Sequence, residues 1–250
     1  MNFYICSTMQ MIDKTISMLL AENPTHGRVL HSLGVDFEEH YDRSLAEVCE
    51  VFKWNQKAIV KAFEFENINI KPTYEELKIC SLGELIAFLK QSHVIFIKEC
   101  LPYIGTLIDK LKGPGSLITD LKLVFPLFFE DFVTHIHEEE DRLFDYIKTL
   151  VGIKQDKVIN PLKKLYRLKE INLATIALDH KDEDEMKSMR ALVAELPVTE
   201  FIMGLVKKEF QAFDQLLRFH AEIEDQLLFP KAIAMEKQIW TEIMQQSVDN

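Results

Sequence analysis

A pattern of histidine and glutamate occurs twice in this sequence, each time within a helix-like stripe of apolar residues. His135 and Glu139 begin the first copy, HIHEEEDRLF, and His220 and Glu224 begin the second, HAEIEDQLLF, 85 residues later. Both copies read His-x3-Glu, then an acidic residue, two further residues and Leu-Phe. One short pair of this kind arises easily by chance, but two copies with matching flanks indicate a repeated functional unit.

A lone histidine precedes each copy at a similar distance. His93 lies 42 residues before His135, and His180 lies 40 residues before His220. Residues four apart on an α-helix lie about 40° and 6 Å apart, so each His-x3-Glu pair presents a nitrogen and an oxygen on one face. Burying carboxylates in an apolar stripe costs several kcal/mol unless a cation compensates for their charge. We therefore predict a buried site for two metal ions, with the carboxylates bridging, formed by His93, His135, Glu139, His180, His220 and Glu224.

The arrangement of apolar residues predicts an all-α fold. The 250 residues include only 8 Gly and 8 Pro, and apolar residues mostly recur at steps of three and four. We predict a small helical N-terminal domain at residues 1–66, a linker at residues 67–80 and an up-down four-helix bundle at residues 81–250. Each of the four long helices would carry one of the four histidines.

Capping signals predict where several helices begin and end. Ser44 and Ser81 each stand three residues before a glutamate, which is the pattern of a capping box. Gly34 is placed to end a helix of the N-terminal domain. Asn160 and Pro161 form a typical start for the helix that carries His180.

The charge and cysteine content exclude several classes of function. The net charge is -11, from 29 basic and 40 acidic residues, which argues against binding to nucleic acid or to an anionic membrane. No apolar run approaches the roughly 18–20 residues that span a bilayer, and the first residues lack the basic region of a signal peptide. The four cysteines are widely spaced, which favours reduced thiols and predicts a cytoplasmic protein.

Several residues near the predicted ligands have alternative interpretations. Glu183 and Asp184 are either additional ligands, residues that support His180 from behind, or part of a solvated face. The supporting role is favoured because the helix of His93 has no carboxylate one turn after the histidine. Asp131 either orients a ligand or is a plain polar position. His137 is expected at the surface because two residues correspond to about 200° on a helix. Cys100, on the inward face beyond His93, is expected to pack in the core.

The sequence resembles the hemerythrin-like (HHE cation-binding) superfamily, and within it the Repair of Iron Centres di-iron proteins, at all six predicted ligand positions. The stretch VLHSLGVDFEEHYDRSLAEVCEVFKWNQKAIVKAF is similar to the small N-terminal domain of that family. Relatives usually carry adjacent cysteines after the Asp-Phe of this stretch, where this chain has Glu38, Glu39 and then His40. This chain therefore lacks thiols at that place, and the three residues form either a metal-contacting patch or a solvated loop.

The resemblance implies a non-haem centre of two oxo-bridged iron ions with coordination positions open for nitric oxide, O2 or peroxide. It also implies a role in repairing iron–sulfur clusters damaged by nitric oxide or oxidative stress, by iron donation to damaged iron–sulfur proteins. The N-terminal domain would then serve docking or formation of a homodimer. An O2- or NO-binding sensor or carrier is the alternative function, and a metal-free helical scaffold is the third. If the centre also converts nitric oxide or peroxide by redox turnover, the protein is an enzyme.

Overall fold

A computed structural model describes most of the chain: residues 11–67, 72–113, 115–155, 171–182, 184 and 186–248. Within these ranges the chain forms helices joined by turns and contains no β-strand, so the all-α prediction is confirmed. None of the helices in these ranges is both long and apolar enough to span a bilayer.

The N-terminal part of the chain forms short helices. Helices α1 to α4 comprise Ile16–Glu22, His26–Ser32, Leu45–Phe52 and Gln56–Asn67. A fifth short helix, α5, comprises Tyr74–Lys78 and lies inside the stretch predicted as a linker. The described part of that stretch therefore contains a helix.

The predicted capping signals operate as expected. The Ser44 hydroxyl accepts from the Glu47 backbone N–H at 3.2 Å, and the Glu47 carboxylate accepts from the Ser44 N–H at 2.7 Å. Ser81 and Glu84 form the same reciprocal pair at 3.3 and 2.8 Å. Gly34 follows α2 with a φ of 76°, a left-handed conformation that glycine adopts without strain.

Three long helices each contain a short π-helical segment between two α-helical segments. Helix α6 (residues 82–110) consists of Leu82–Ile95, the π-helical Phe96–Cys100 and Leu101–Lys110. Helix α7 (residues 116–154) consists of Ser116–Glu138, the π-helical Glu139–Phe144 and Asp145–Lys154. Helix α10 (residues 201–248) consists of Phe201–Ile223, the π-helical Glu224–Leu228 and Phe229–Val248.

Two shorter helices complete the described part of the chain. Helix α8 (Leu173–Asp182) carries His180 and packs against α10, and helix α9 (Lys187–Glu195) packs against α7 and α10. Helix α6 contacts both α7 and α10. The predicted start of the His180 helix at Asn160 and Pro161 lies outside the described residues.

The buried hydrophobic residues form two clusters, which lie on opposite sides of the predicted ligands. The first core includes Phe96, Phe132 and Phe213 together with residues of α1 to α4. The second core includes Leu89 and Leu143, with residues from the later parts of α7 and α10. On α6, for example, His93 lies between Leu89 of the second core and Phe96 of the first.

The N-terminal helices are attached to the long helices by polar contacts as well as by the first core. Arg28 of α2 lies 3.5 Å from the Glu209 carboxylate of α10, and both side chains are largely buried. The same guanidinium donates to the Cys100 thiol at 3.3 Å, so Cys100 lies in the core as predicted. The ring of His31 is 3.1 Å from the Thr106 hydroxyl. The helices on both sides of the predicted linker therefore share one core.

The turn that contains Glu38, Glu39 and His40 packs against the end of α6. Lys110 donates to Asp36 at 2.7 Å and to Glu38 at 3.2 Å, and Glu39 is exposed. His40 is buried with its ring edge-on to Phe52 at 5.6 Å. Two of these three residues therefore have structural contacts rather than lying in a fully solvated loop.

Candidate metal centre

Four of the six predicted ligands converge on one point between the two cores. His93 comes from α6, Glu139 from α7, and His220 and Glu224 from α10, and one ligand atom of each lies within 4.8 Å of the others. His93, His220 and Glu224 are 2%, 5% and 1% exposed. This group of two imidazoles and two carboxylates could hold a metal ion.

The contacts within this group join nitrogen and oxygen atoms of the kinds that bind metal ions. The Nε2 atom of His93 lies 3.1 Å from Nε2 of His220 and 3.3 Å from Oε2 of Glu139. The Nε2 atom of His220 lies 3.1 Å from Oε1 of Glu224. The side chains of Glu139 and Glu224 are themselves in hydrogen-bonding contact. These donor atoms face one another rather than separate partners.

The two remaining predicted ligands lie at the same site. His180 of α8 places Nε2 at 3.0 Å from Oε2 of Glu224, and its side chain is 15% exposed. His135 of α7 is half-buried and lines the same cavity of about 190 Å³, although it is not one of the four converging residues. The structure thus brings all six predicted residues to one cavity.

An acidic residue orients the ring of each lone histidine. Oε1 of Glu140 lies 2.9 Å from Nδ1 of His93, and Oδ1 of Asp225 lies 3.1 Å from Nδ1 of His180. An ionised carboxylate only accepts hydrogen bonds, so each Nδ1–H donates and the Nε2 atom faces the group. Glu140 and Asp225 occupy the acidic position that directly follows the glutamate in both copies of the repeat. The repeat carried this signal, but the sequence interpretation assigned it no role.

Burial and neighbouring charges drive the pKa values of the two lone histidines in opposite directions. Burial and the adjacent His220 lower the pKa of His93 to about 4, despite the hydrogen bond to its acidic neighbour. Burial alone would lower the pKa of His180, but Glu224 and Asp225 outweigh it and raise that pKa to about 9. Burial likewise opposes ionisation of Glu224, yet His220, Glu139 and His180 hold its pKa well below the usual range.

The arrangement fits a bound metal better than a closed network of side-chain hydrogen bonds. The contact between the Glu139 and Glu224 side chains is a hydrogen bond only while one of the two carboxyl groups keeps its proton, and ionisation of both would set like charges against each other in a buried site. Nδ1 of His220 is buried and has no hydrogen-bond partner among the described residues. Imidazole and carboxylate donors together suit iron, manganese or zinc. A cation at this point would take the converging nitrogen and oxygen atoms as ligands and would let both carboxyl groups ionise.

The π-helical segments coincide with the predicted ligands. Glu139 and Glu224 each begin such a segment, and the segment of α6 begins three residues after His93. π-helical turns are rare and occur frequently at functional sites. The wider turn lets two consecutive residues serve one site: Glu139 contacts the ligand group while Glu140 contacts His93.

Two prolines also stand close to these segments in the sequence. Pro102 and Pro230 each stand two residues after a π-helical segment ends. Proline has no backbone N–H, so it suits a position where the ordinary helical hydrogen bond is already lost. Helix α7 has no proline at the matching place, so the signal is incomplete.

The other acidic and histidine candidates have different positions. The Asp184 carboxylate receives two hydrogen bonds from Arg190, at 2.9 and 2.8 Å, and lines the cavity without joining the ligand group. Glu183 lies outside the described residues. Asp131 lines a neighbouring cavity of α7, and His137 is exposed, as the helical spacing predicts.

Charged residues that the sequence did not reveal surround the site. Lys90 forms an ion pair with Glu140, and Arg190 and Arg218 both donate to Asp214, each at 3.0 Å. Arg218 is 62% exposed and lines the cavity, which therefore reaches the surface there. These contacts depend on how the helices pack, and nothing in the spacing of the residues signals them.

Comparison with known proteins gives no family: no family model matches the chain, and no curated protein matches it. The fold and the site define an all-helical protein with a buried histidine and glutamate group that could hold a metal ion.

Proposed function

We propose that this protein is a non-haem di-iron protein with a hemerythrin-like four-helix bundle. It would help repair iron–sulfur clusters damaged by nitric oxide or oxidative stress, by donating iron to them. The observation that carries the proposal is the convergence of His93, Glu139, His220 and Glu224 from three helices on one buried point. The repeated histidine and glutamate pattern supports a site for two ions rather than one.

The chain's own residues would hold and orient the ions. Glu139 and Glu224 face each other and supply the negative charge that two cations need in a buried site. Glu140 and Asp225 hold the rings of the two lone histidines by their Nδ1–H groups. Iron bound there would supply redox chemistry and open positions for a small ligand such as nitric oxide, O2 or peroxide.

Iron donation requires a path from the site to the surface. The cavity that the six residues line also includes Arg218, whose side chain is 62% exposed. His93 is 2% exposed, whereas the His180 side chain is 15% exposed. The greater exposure of His180 supports a route for iron and for small ligands on the side of α8. We place the activity in the cytoplasm because Cys49, Cys80 and Cys100 are free thiols.

The first test is the metal content of the protein. Elemental analysis of protein expressed with iron available should give two irons per chain, and absence of metal or a single zinc would overturn the proposal. The loaded protein should then restore activity to a hydratase whose iron–sulfur cluster has been damaged by nitric oxide, under reducing conditions. Retention of all iron in that assay, with no activity restored, would refute the repair function while leaving the di-iron site intact.

One observation favours an alternative, an O2- or NO-binding sensor or carrier without turnover. The cavity beside the ligand group has apolar walls formed by Phe96, Phe132 and Leu217, which suit a small apolar molecule. Such a protein would form reversible adducts and keep its iron, whereas an enzyme would consume nitric oxide or peroxide continuously. Spectra recorded through cycles of ligand addition and removal, with iron counted at the end, distinguish these possibilities.

A further inference from the structure

The two halves of the site match in their ligands but differ in the carboxylate behind each lone histidine. Glu140, which accepts from His93, also forms an ion pair with Lys90 of α6. Asp225, which accepts from His180, forms no ion pair with a lysine or arginine among the side chains that the structure describes, a set that does not include Lys181. Among the described side chains, Lys90 therefore distinguishes one half of the site from the other.

This difference changes the donor strength of the two imidazoles. A carboxylate that accepts from Nδ1–H increases the electron density at Nε2 and strengthens the bond to a metal, and removal of such a partner typically weakens metal binding. A lysine ammonium paired with the same carboxylate withdraws part of that negative charge. His93 should consequently be the weaker donor and His180 the stronger one.

We propose that Lys90 makes the two metal positions unequal, so that the metal bound through His93 is held less tightly than the metal bound through His180. In this arrangement Glu140 and Asp225 are positioning residues that act through the histidines. The inference rests on the proposed di-metal site and deepens it: the protein would donate the ion at the His93 position and keep the other.

Stepwise binding of cobalt(II) to the metal-free full-length protein tests the proposal without any assay of activity. Cobalt(II) gives visible absorption bands, and competition with a chelator yields the affinity of each step. The wild-type protein should bind two ions in two resolved steps. Glu140→Gln should weaken the second, weaker step by about tenfold or more, and Asp225→Asn should weaken the first step by a similar factor.

Lys90→Met supplies the decisive result because its effect has the opposite sign. Removal of the ammonium frees the charge of Glu140, so the weaker step should become roughly two- to fivefold tighter, a modest change because Lys90 is 41% exposed. A residue with a merely structural role would weaken binding when it is replaced. The matched control is Lys98→Met on the same helix, where the exposed lysine has no ion pair among the described residues and both steps should stay unchanged.

Each outcome separates this inference from the proposed function. Two equal steps in the wild type, or a Lys90→Met variant that binds like the Lys98→Met control, would overturn the inequality and leave the di-metal site standing. A weakened second step in Asp225→Asn, with the first step unchanged, would reverse the assignment of the two positions and overturn the proposal. Failure of the wild type to bind any cobalt(II) would overturn both the inference and the proposed function.

Discussion

The attachment of the N-terminal helices to the long helices makes a prediction about the unfolding of the whole chain. Arg28 and Glu209 form a pair that joins α2 to α10, with side chains 12% and 3% exposed. Arg28→Met removes the guanidinium and leaves the Glu209 carboxylate buried without that cation. Removal of one partner of a buried pair costs about 3–5 kcal/mol.

That loss is large enough to measure by thermal unfolding. For chains of about 150–250 residues, 1 kcal/mol shifts Tm by roughly 2–4 °C, so we expect Tm to fall by roughly 6–20 °C. The double variant Arg28→Met with Glu209→Met should recover most of the loss, because apolar side chains can replace a buried pair with little effect on stability. Arg43→Met, which makes the same chemical change at an exposed position, should leave Tm nearly unchanged.

The chain contains two tryptophans, which report on the two sides of the molecule separately. Trp54 packs against the first core and Trp240 against the second. Fluorescence of the Trp54→Phe and Trp240→Phe variants during urea unfolding should give coincident transitions, and Arg28→Met should shift both. Two separate transitions, with only the Trp54 signal shifted, would refute the shared core and favour an N-terminal domain that folds independently.

Further predictions concern single residues. Glu139→Ala and Glu224→Ala should each lower the metal content measured by elemental analysis, because the bound cations would then lack a buried counter-charge. His137→Ala, on the exposed face of α7, should leave the metal content unchanged. Loss of metal in the His137→Ala variant would mean that the wrong face of α7 was assigned. Burial raises the pKa of the Cys100 thiol to about 11, so native protein at pH 8 should leave Cys100 unmodified by iodoacetamide in peptide mass analysis, and rapid labelling would contradict its position in the core. Ser81→Ala should lower the free energy of unfolding by about 0.5–2 kcal/mol in urea titration through loss of the helix cap, and an unchanged value would show that the capping box does not stabilise α6.

The apolar periodicity of the sequence predicted the helices and the face that each one buries. On α6, for example, Leu82, Leu85, Leu89, His93 and Phe96 recur at steps of three and four, and all five are buried. The spacing of apolar residues predicts which side chains are buried, because a helix in a packed protein turns one stripe of side chains toward its neighbours. The same spacing predicted that Glu224 is buried, since a charged residue on such a stripe points into the core with the apolar residues.

The features that the sequence did not predict depend on contacts between helices. The π-helical segment at Glu139 changes the hydrogen-bond register within one helix, and a periodicity of three and four does not reveal such a local change. The pairing of Lys90 with Glu140 joins α6 to α7, and it requires the distance between two helices to be known. His135 stands in the repeat like His220 but is half-buried rather than buried, so equivalent sequence positions differ in exposure.

The position of the ligand group between two hydrophobic cores bears on how the protein could release metal and stay folded. Many small metal-binding domains unfold without their ion because the ion replaces a hydrophobic core. Here Leu89 and Leu143 belong to the second core, and Phe96 and Phe132 belong to the first, so α6 and α7 are each anchored on both sides of the ligands. Loss of an ion would leave a polar layer between two closed apolar layers rather than an exposed interior. The proposed donation of iron requires this property, because the protein would have to remain folded to be loaded again.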